Sequence, residues 1–149
     1  MLSTLGQFIF VFGVVLVLAG TLPAHGAESG EKAPEIRKML NIEFSREHTD
    51  FRKIDVFLPG ENRNGACIFF IHGGGWRGGE KEGWHAVMEH FCRLGYVCTS
   101  TDYRLAPEWP FPAQVEDVRL AMSFVKSKAE EYGFDPDRVR AELEAVADR

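Results

Sequence analysis

The segment best suited to chemistry is His72-Gly73-Gly74-Gly75-Trp76, which leaves the short apolar run Cys67–Ile71 (CIFFI). Three consecutive glycines lose more backbone freedom on folding than any other triplet, so their presence needs a reason. Close approach supplies one. Without Cβ atoms, successive backbone N–H groups can converge on a single oxygen that is gaining negative charge. Two other chemistries fail on spacing. A phosphate-binding loop needs G-K-[ST], and here Gly79 is followed by Glu80. His85, Glu89 and His90 are spaced H-x-x-x-E-H, one residue longer than the zinc-binding H-x-x-E-H pattern, and read as a solvated helix face.

The elements that must hold this loop can be read from periodicity. Phe51–Leu58 alternates apolar and polar residues and stops at Pro59-Gly60, as a strand does at a turn. CIFFI is a continuous apolar run, the pattern of a strand buried on both faces. Trp84, Val87, Met88, Phe91 and Leu94 recur at helical spacing, with Gly95 at the C-terminal end. Val97–Thr101 is β-branched and short, a third strand. Pro107–Pro112 enforces an extended loop, because each proline pushes its predecessor out of the helical region. From Pro112 the apolar spacing predicts one helix to about Tyr132, closed by Gly133. Strand, strand, helix, strand, helix implies crossover connections and an α/β sheet.

Composition sets the outer bounds. With 149 residues, 45% hydrophobic and 26% charged, the chain has the make-up of one globular domain. A net charge of -5 without any Lys/Arg run argues against nucleic-acid binding. Cys67, Cys92 and Cys98 form no CxxC pair and sit in apolar stretches, which suits buried free thiols. No metal or cofactor site is expected. Residues 1–26 read as a targeting segment. Phe8–Leu22 is uncharged and apolar but shorter than the roughly 20 residues of a membrane span, and Ala24 and Gly26 fit a signal-peptidase site. No Lys or Arg precedes Phe8, which leaves a membrane anchor as the alternative. Either reading places the remainder outside the cytoplasm, secreted or periplasmic. Residues 27–50 then hold a linker and a first strand region, and 51–139 the main domain.

A second block lies downstream: Asp102-Tyr103-Arg104-Leu105-Ala106-Pro107-Glu108, then Phe111-Pro112-Ala113 and Glu116-Asp117. With IHGGGW it resembles the oxyanion-loop and DYRLAPE…FPA…ED segments of α/β-hydrolase esterases and lipases. The likeness is to the hormone-sensitive-lipase-like and carboxylesterase families, leaning to the feruloyl-esterase-like branch. The resemblance implies a truncated α/β-hydrolase fold: the N-terminal strands and two helices of a mostly parallel sheet. It implies that Gly73, Gly74 and Gly75 form part of an oxyanion hole and that His72 holds the loop. Trp76 would line an acyl or alcohol pocket or simply pack. Asp102, Tyr103, Arg104 and Asp117 would be structural, with a buried Asp–Arg pair tying the loop to the sheet edge.

The same resemblance exposes what the sequence lacks. Hydrolases of this fold use a serine on a G-x-S-x-G turn, followed by an acid and a histidine. Ser3, Ser29, Ser45, Ser100, Ser123 and Ser127 all lack the flanking glycines, and the last histidine is His90. Gly133–Val139 (GFDPDRV) keeps the family's approach to the next strand. Residues 140–149 (RAELEAVADR) then space Val139, Leu143 and Val146 helically, so a divergent helical tail is expected there. The expectation is a truncated esterase, inactive alone, whose substrate when completed is a small-molecule or carbohydrate-linked carboxylic ester. Alternatives are a partner-binding relic or one half of a split hydrolase. A half-sheet also leaves an edge through which the chain could self-associate.

Overall fold

A computed structural model describes residues 35–143. Its elements run β1 (Ile36–Glu43), β2 (Lys53–Pro59), β3 (Cys67–Ile71), a 3-10 turn (Lys81–Trp84), α1 (His85–Arg93), β4 (Val97–Thr101), α2 (Ala113–Ser127), α3 (Ala129–Tyr132) and β5 (Val139–Leu143). The targeting segment read from residues 1–26 lies outside the described residues. Among those described, no helix is long and apolar enough to cross a membrane.

The five strands form one sheet in the order β1-β2-β4-β3-β5. β3 pairs in parallel with both β4 and β5, while β2 runs antiparallel to β4 and to β1. The sheet is therefore mixed rather than mostly parallel. The parallel half follows from the crossover helices α1 and α2, and the antiparallel β1–β2 pair from a short connection, while β4 enters the sheet between β2 and β3 and runs antiparallel to β2.

Side chains sort by strand period. Ile54, Val56, Leu58, Cys67, Phe69 and Val97 point to the face covered by α2 and α3, where Ala121, Val125, Ala129 and Tyr132 meet them. Phe57, Ile68, Phe70 and Cys98 point to the opposite face, against Met88 and Cys92 of α1. Covered on both faces, β3 can be apolar throughout. Phe57, Phe69 and Phe70 are essentially fully buried, each contributing about 1.5–3 kcal/mol by leaving water.

Two expected features differ. The helix beginning after Pro112 is interrupted at Lys128, which lies at φ -99°, ψ 8°. Ser127 there turns its hydroxyl back onto the Phe124 carbonyl at 2.7 Å, a contact that competes with helix continuation. The expected helical tail also fails at its start, because residues 139–143 form β5. Helix propensity is a weak prior. Here the open edge of β3 offers a full parallel ladder, Cys67↔Val139 through Ile71↔Leu143, and that pairing prevails. Residues 144–149 lie outside the described part.

Candidate functional site

The glycine loop springs from the C-terminal end of β3 and is pinned at its root. His72 is buried, and its ring stacks on Tyr103 with centroids 4.1 Å apart and planes 11° from parallel. Tyr103 donates its hydroxyl to the His72 carbonyl at 2.8 Å, with the Gly73 carbonyl 3.4 Å away. His72 Nδ1 lies 2.9 Å from the Gly73 carbonyl. The imidazole is thus committed to the loop itself.

Beyond Gly73 the loop turns to the surface. Gly74 has φ +104°, and a Cβ there would stand 2.3 Å from the Gly78 carbonyl oxygen. Its own carbonyl accepts the Arg77 N–H at 3.1 Å, closing a tight turn. At Gly79 a Cβ would come within 2.4 Å of His72 Nδ1 and 2.5 Å of the Gly73 oxygen. Both positions therefore need glycine for space as well as for dihedral angle. Gly75 differs, with φ +59° and open space around its absent Cβ.

Trp76 is 46% exposed and stacks on Phe111 with centroids 5.8 Å apart. Its carbonyl accepts the Ala106 N–H at 2.8 Å, which links the glycine loop to the downstream block. Between them lies an apolar pocket of about 340 Å³ lined by Ile71, Trp76, Tyr103, Gln114, Val115 and Val118. The two sequence motifs thus converge on one end of the sheet.

The downstream block is anchored by a buried ion pair. Arg104 grips Asp117 of α2 with Nε on Oδ2 at 2.8 Å and an Nη on Oδ1 at 2.9 Å, while its backbone N–H also donates to Oδ2. Arg52 donates to the same carboxylate at 2.8 Å. Burial alone would raise the Asp117 pKa, but these arginine hydrogen bonds hold it below the ordinary range.

A second charged cluster was not read from the sequence. Buried Lys81 sits with Nζ 3.5 Å from both Asp55 and Asp102, and it also contacts Glu82. Asp55 in turn accepts the Asn41 N–H at 2.7 Å and lies 2.7 Å from His85 Nε2. Asp102 accepts the Lys81 N–H at 2.9 Å and stands 3.9 Å from His72 Nε2. Burial pushes the Asp102 carboxyl up despite these contacts. For Lys81, burial works to lower the pKa, and the surrounding carboxylates overcome it and raise it. His85 is therefore not part of a solvated helix face. The one sequence hint was Asp55, a charge amid the apolar residues of β2.

The three cysteines are buried and free, and burial raises the Cys67 thiol to about 12 and the Cys92 thiol to about 11. Among the described residues no group of three or more His, Cys, Asp or Glu side chains could hold a metal ion.

This sheet order, with its helices on both faces and a glycine loop after β3, defines an α/β-hydrolase esterase fold. Esterase B from Lactobacillus rhamnosis matches it with a TM-score of 0.67 at 22% identity, covering 76% of this chain and 37% of that one. A solved arylesterase matches with a TM-score of 0.59 at 30% identity, over 73% and 35% of the two chains. The BD-FAE family model matches residues 54–141, and the chain belongs to that family. Among curated relatives, the probable carboxylic ester hydrolase LipM of Mycobacterium tuberculosis is 38% identical over 60% of this chain and 21% of its own length. Arylacetamide deacetylase of Oryctolagus cuniculus is 44% identical over 48% of this chain and 19% of its own length. The chain thus spans about a fifth of the length of these two curated relatives.

Proposed function

We propose that this chain carries the oxyanion-stabilising part of a serine carboxylic ester hydrolase, and that the 149-residue chain by itself does not turn over esters. The observation that carries the first half is the loop His72–Trp76. Its root is locked by Tyr103, its Gly74 and Gly75 are exposed, and the adjoining Trp76 lines an apolar pocket. Backbone N–H groups of Gly73, Gly74 and Gly75 would face the oxygen that becomes negative when an ester carbonyl is attacked. Preorganised donors of this kind are worth about 10²–10³ in rate when one is removed. Trp76 and Phe111 would bound the acyl or alcohol side of the ester. The second half rests on the sequence, which holds no G-x-S-x-G and no histidine after His90. The targeting segment supports action outside the cytoplasm.

The purified chain is expected to hydrolyse p-nitrophenyl acetate no faster than its Gly74→Pro variant; turnover above that control overturns the inactive reading. Grafting residues 54–138 into the carboxylesterase NlhH, a relative 38% identical over 58% of this chain, tests the loop. The graft should hydrolyse the ester and lose about 10²-fold with Gly74→Pro. An active graft indifferent to that change removes the oxyanion assignment. The DNA beyond Arg149 separates the remaining alternatives. A frame encoding G-x-S-x-G followed by Asp and His marks a broken or split esterase, and its absence favours the relic.

A further inference from the structure

The peptide unit that joins Gly73 to Gly74 is gripped at its carbonyl end. The Gly73 oxygen lies 2.9 Å from His72 Nδ1 and 3.4 Å from the Tyr103 hydroxyl, and both of those side chains are buried. The N–H of the same unit belongs to Gly74, an exposed residue. A carbonyl oxygen only accepts, so Nδ1 carries the proton in its contact. Resonance couples the two ends of a peptide unit. A donor on the carbonyl therefore draws charge along it and makes the N–H at the other end a stronger donor.

The other ring nitrogen faces Asp102. His72 Nε2 stands 3.9 Å from Oδ1 of that carboxylate, beyond hydrogen-bond reach but within ion-pair range. The carboxylate is itself fixed: Oδ1 accepts the Lys81 N–H at 2.9 Å, and Lys81 Nζ lies 3.5 Å from Oδ2. Since Nδ1 is already a donor, Nε2 meets Asp102 in one of two ways. As a lone pair it is repelled by the carboxylate, and as a second N–H it is attracted. Other groups modulate that choice. The Tyr103 ring lies flat on the imidazole, and exposed Glu80 lines a small cavity together with His72. Lys81 is shared among Asp102, Asp55 and Glu82, so its charge is not Asp102's alone.

We propose that His72 and Asp102 hold one proton between Nε2 and Oδ1, and that through it Asp102 acts as a positioning residue for the oxyanion donor at Gly74. The proton belongs to the pair rather than to either member. While it is bound, Nδ1–H makes a charge-assisted hydrogen bond to the Gly73 carbonyl, about twice as strong as a neutral one. That bond fixes the Gly73–Gly74 peptide plane and polarises the Gly74 N–H. Loss of the proton leaves a lone pair facing a carboxylate, so the grip on the loop weakens as pH rises through the titration of the pair. Burial of the imidazole, only 3% exposed, keeps water from screening the effect. The catalytic consequence rests on the reading of this loop as an oxyanion site. The proton-holding pair itself does not.

Nitrogen NMR of the full chain reads the pair without any ester. Wild-type His72 should carry its Nδ1 proton at every pH, with a scalar coupling across the hydrogen bond to the Gly73 carbonyl carbon. As pH rises and the shared proton leaves, the Gly74 amide proton should move upfield. Asp102→Asn keeps the shape and the acceptor for the Lys81 N–H, and at neutral pH it should move the Gly74 amide the same way. A ring protonated on Nε2 alone, or a Gly74 amide indifferent to Asp102→Asn, overturns the proposal. In the NlhH graft, Asp102→Asn should lower kcat about five- to tenfold with KM unchanged, the difference between a charged and a neutral hydrogen bond. His72→Asn offers the Gly73 carbonyl an amide N–H in place of Nδ1–H but cuts the link to Asp102. In that background Asp102→Asn should cost nothing more, and an equal loss in both backgrounds overturns the link through His72. Gly74→Pro reads the oxyanion assignment separately: a graft indifferent to it removes that assignment while the NMR signature of the pair stands.

Discussion

Tyr103 holds His72 twice: its ring lies flat on the imidazole at 4.1 Å and its hydroxyl donates to the His72 carbonyl at 2.8 Å. One residue from β4's exit thereby fixes both the side chain and the backbone at the start of the glycine loop. The two contacts can be separated. Tyr103→Phe keeps the stacking and removes the hydroxyl, leaving a buried carbonyl without that donor. The expected loss is about 1–2 kcal/mol of unfolding free energy, read as a lower urea midpoint at unchanged slope. Amide exchange at Gly74 and Gly75 should accelerate more than in the sheet. A variant with wild-type stability and exchange would show that the stack alone holds the loop.

The Arg104–Asp117 pair makes a pH-dependent prediction. Removing one member of a buried pair strands the other's charge, at a cost of about 3–5 kcal/mol. Arg104→Met should show such a loss near neutral pH, reduced somewhat because Arg52 still reaches Asp117. The folded-state pKa of Asp117 is below its unfolded value, which lies near 3.9. Between the two the unfolded chain binds more protons, so stability rises with pH across that window. The contribution of Asp117 is fully present above the unfolded value and is lost as pH falls through the folded one. The stability gap between wild type and Asp117→Asn, measured by urea unfolding, should therefore narrow on acidification below the ordinary carboxylate range. A gap constant to strong acid would remove the ion pair from the account.

What the sequence made legible, and what it did not, divides along the range of the interactions. CIFFI shows its strand limits because burial on both faces leaves no polar position to blur them, and VCTST shows its own as a short, β-branched run. The glycine loop and the Asp102–Asp117 block are recognisable because each is a contiguous string. Residues 139–143 escape a reading from sequence for the converse reason. Their alanine and glutamate content favours a helix, and only the unpaired edge of β3, far back in the chain, makes them a strand. The Asp55–Lys81–His85 cluster was missed because its members lie on different elements and meet only when β2, the 3-10 turn and α1 pack together.

Lys81 neutralises Asp55 and Asp102 together, and its backbone N–H also holds Asp102 beside His72. Lys81→Met keeps the length of the buried stem and deletes the charge. Asp55 retains His85 and the Asn41 N–H, so its burial remains partly compensated. Asp102, already raised by burial, loses its main cation and should take up a proton more readily. The expected cost is about 3 kcal/mol near neutral pH, shrinking on mild acidification as Asp102 protonates. The carboxyl shift is opposite in direction to that at Asp117, because at Asp102 burial outweighs the contacts that favour the charged form, whereas at Asp117 the arginine hydrogen bonds outweigh burial. Lys81→Met combined with Asp102→Asn should recover part of the loss and flatten its pH dependence in urea unfolding. If the double variant is no more stable than Lys81→Met alone, the carboxylate of Asp102 is not what Lys81 neutralises.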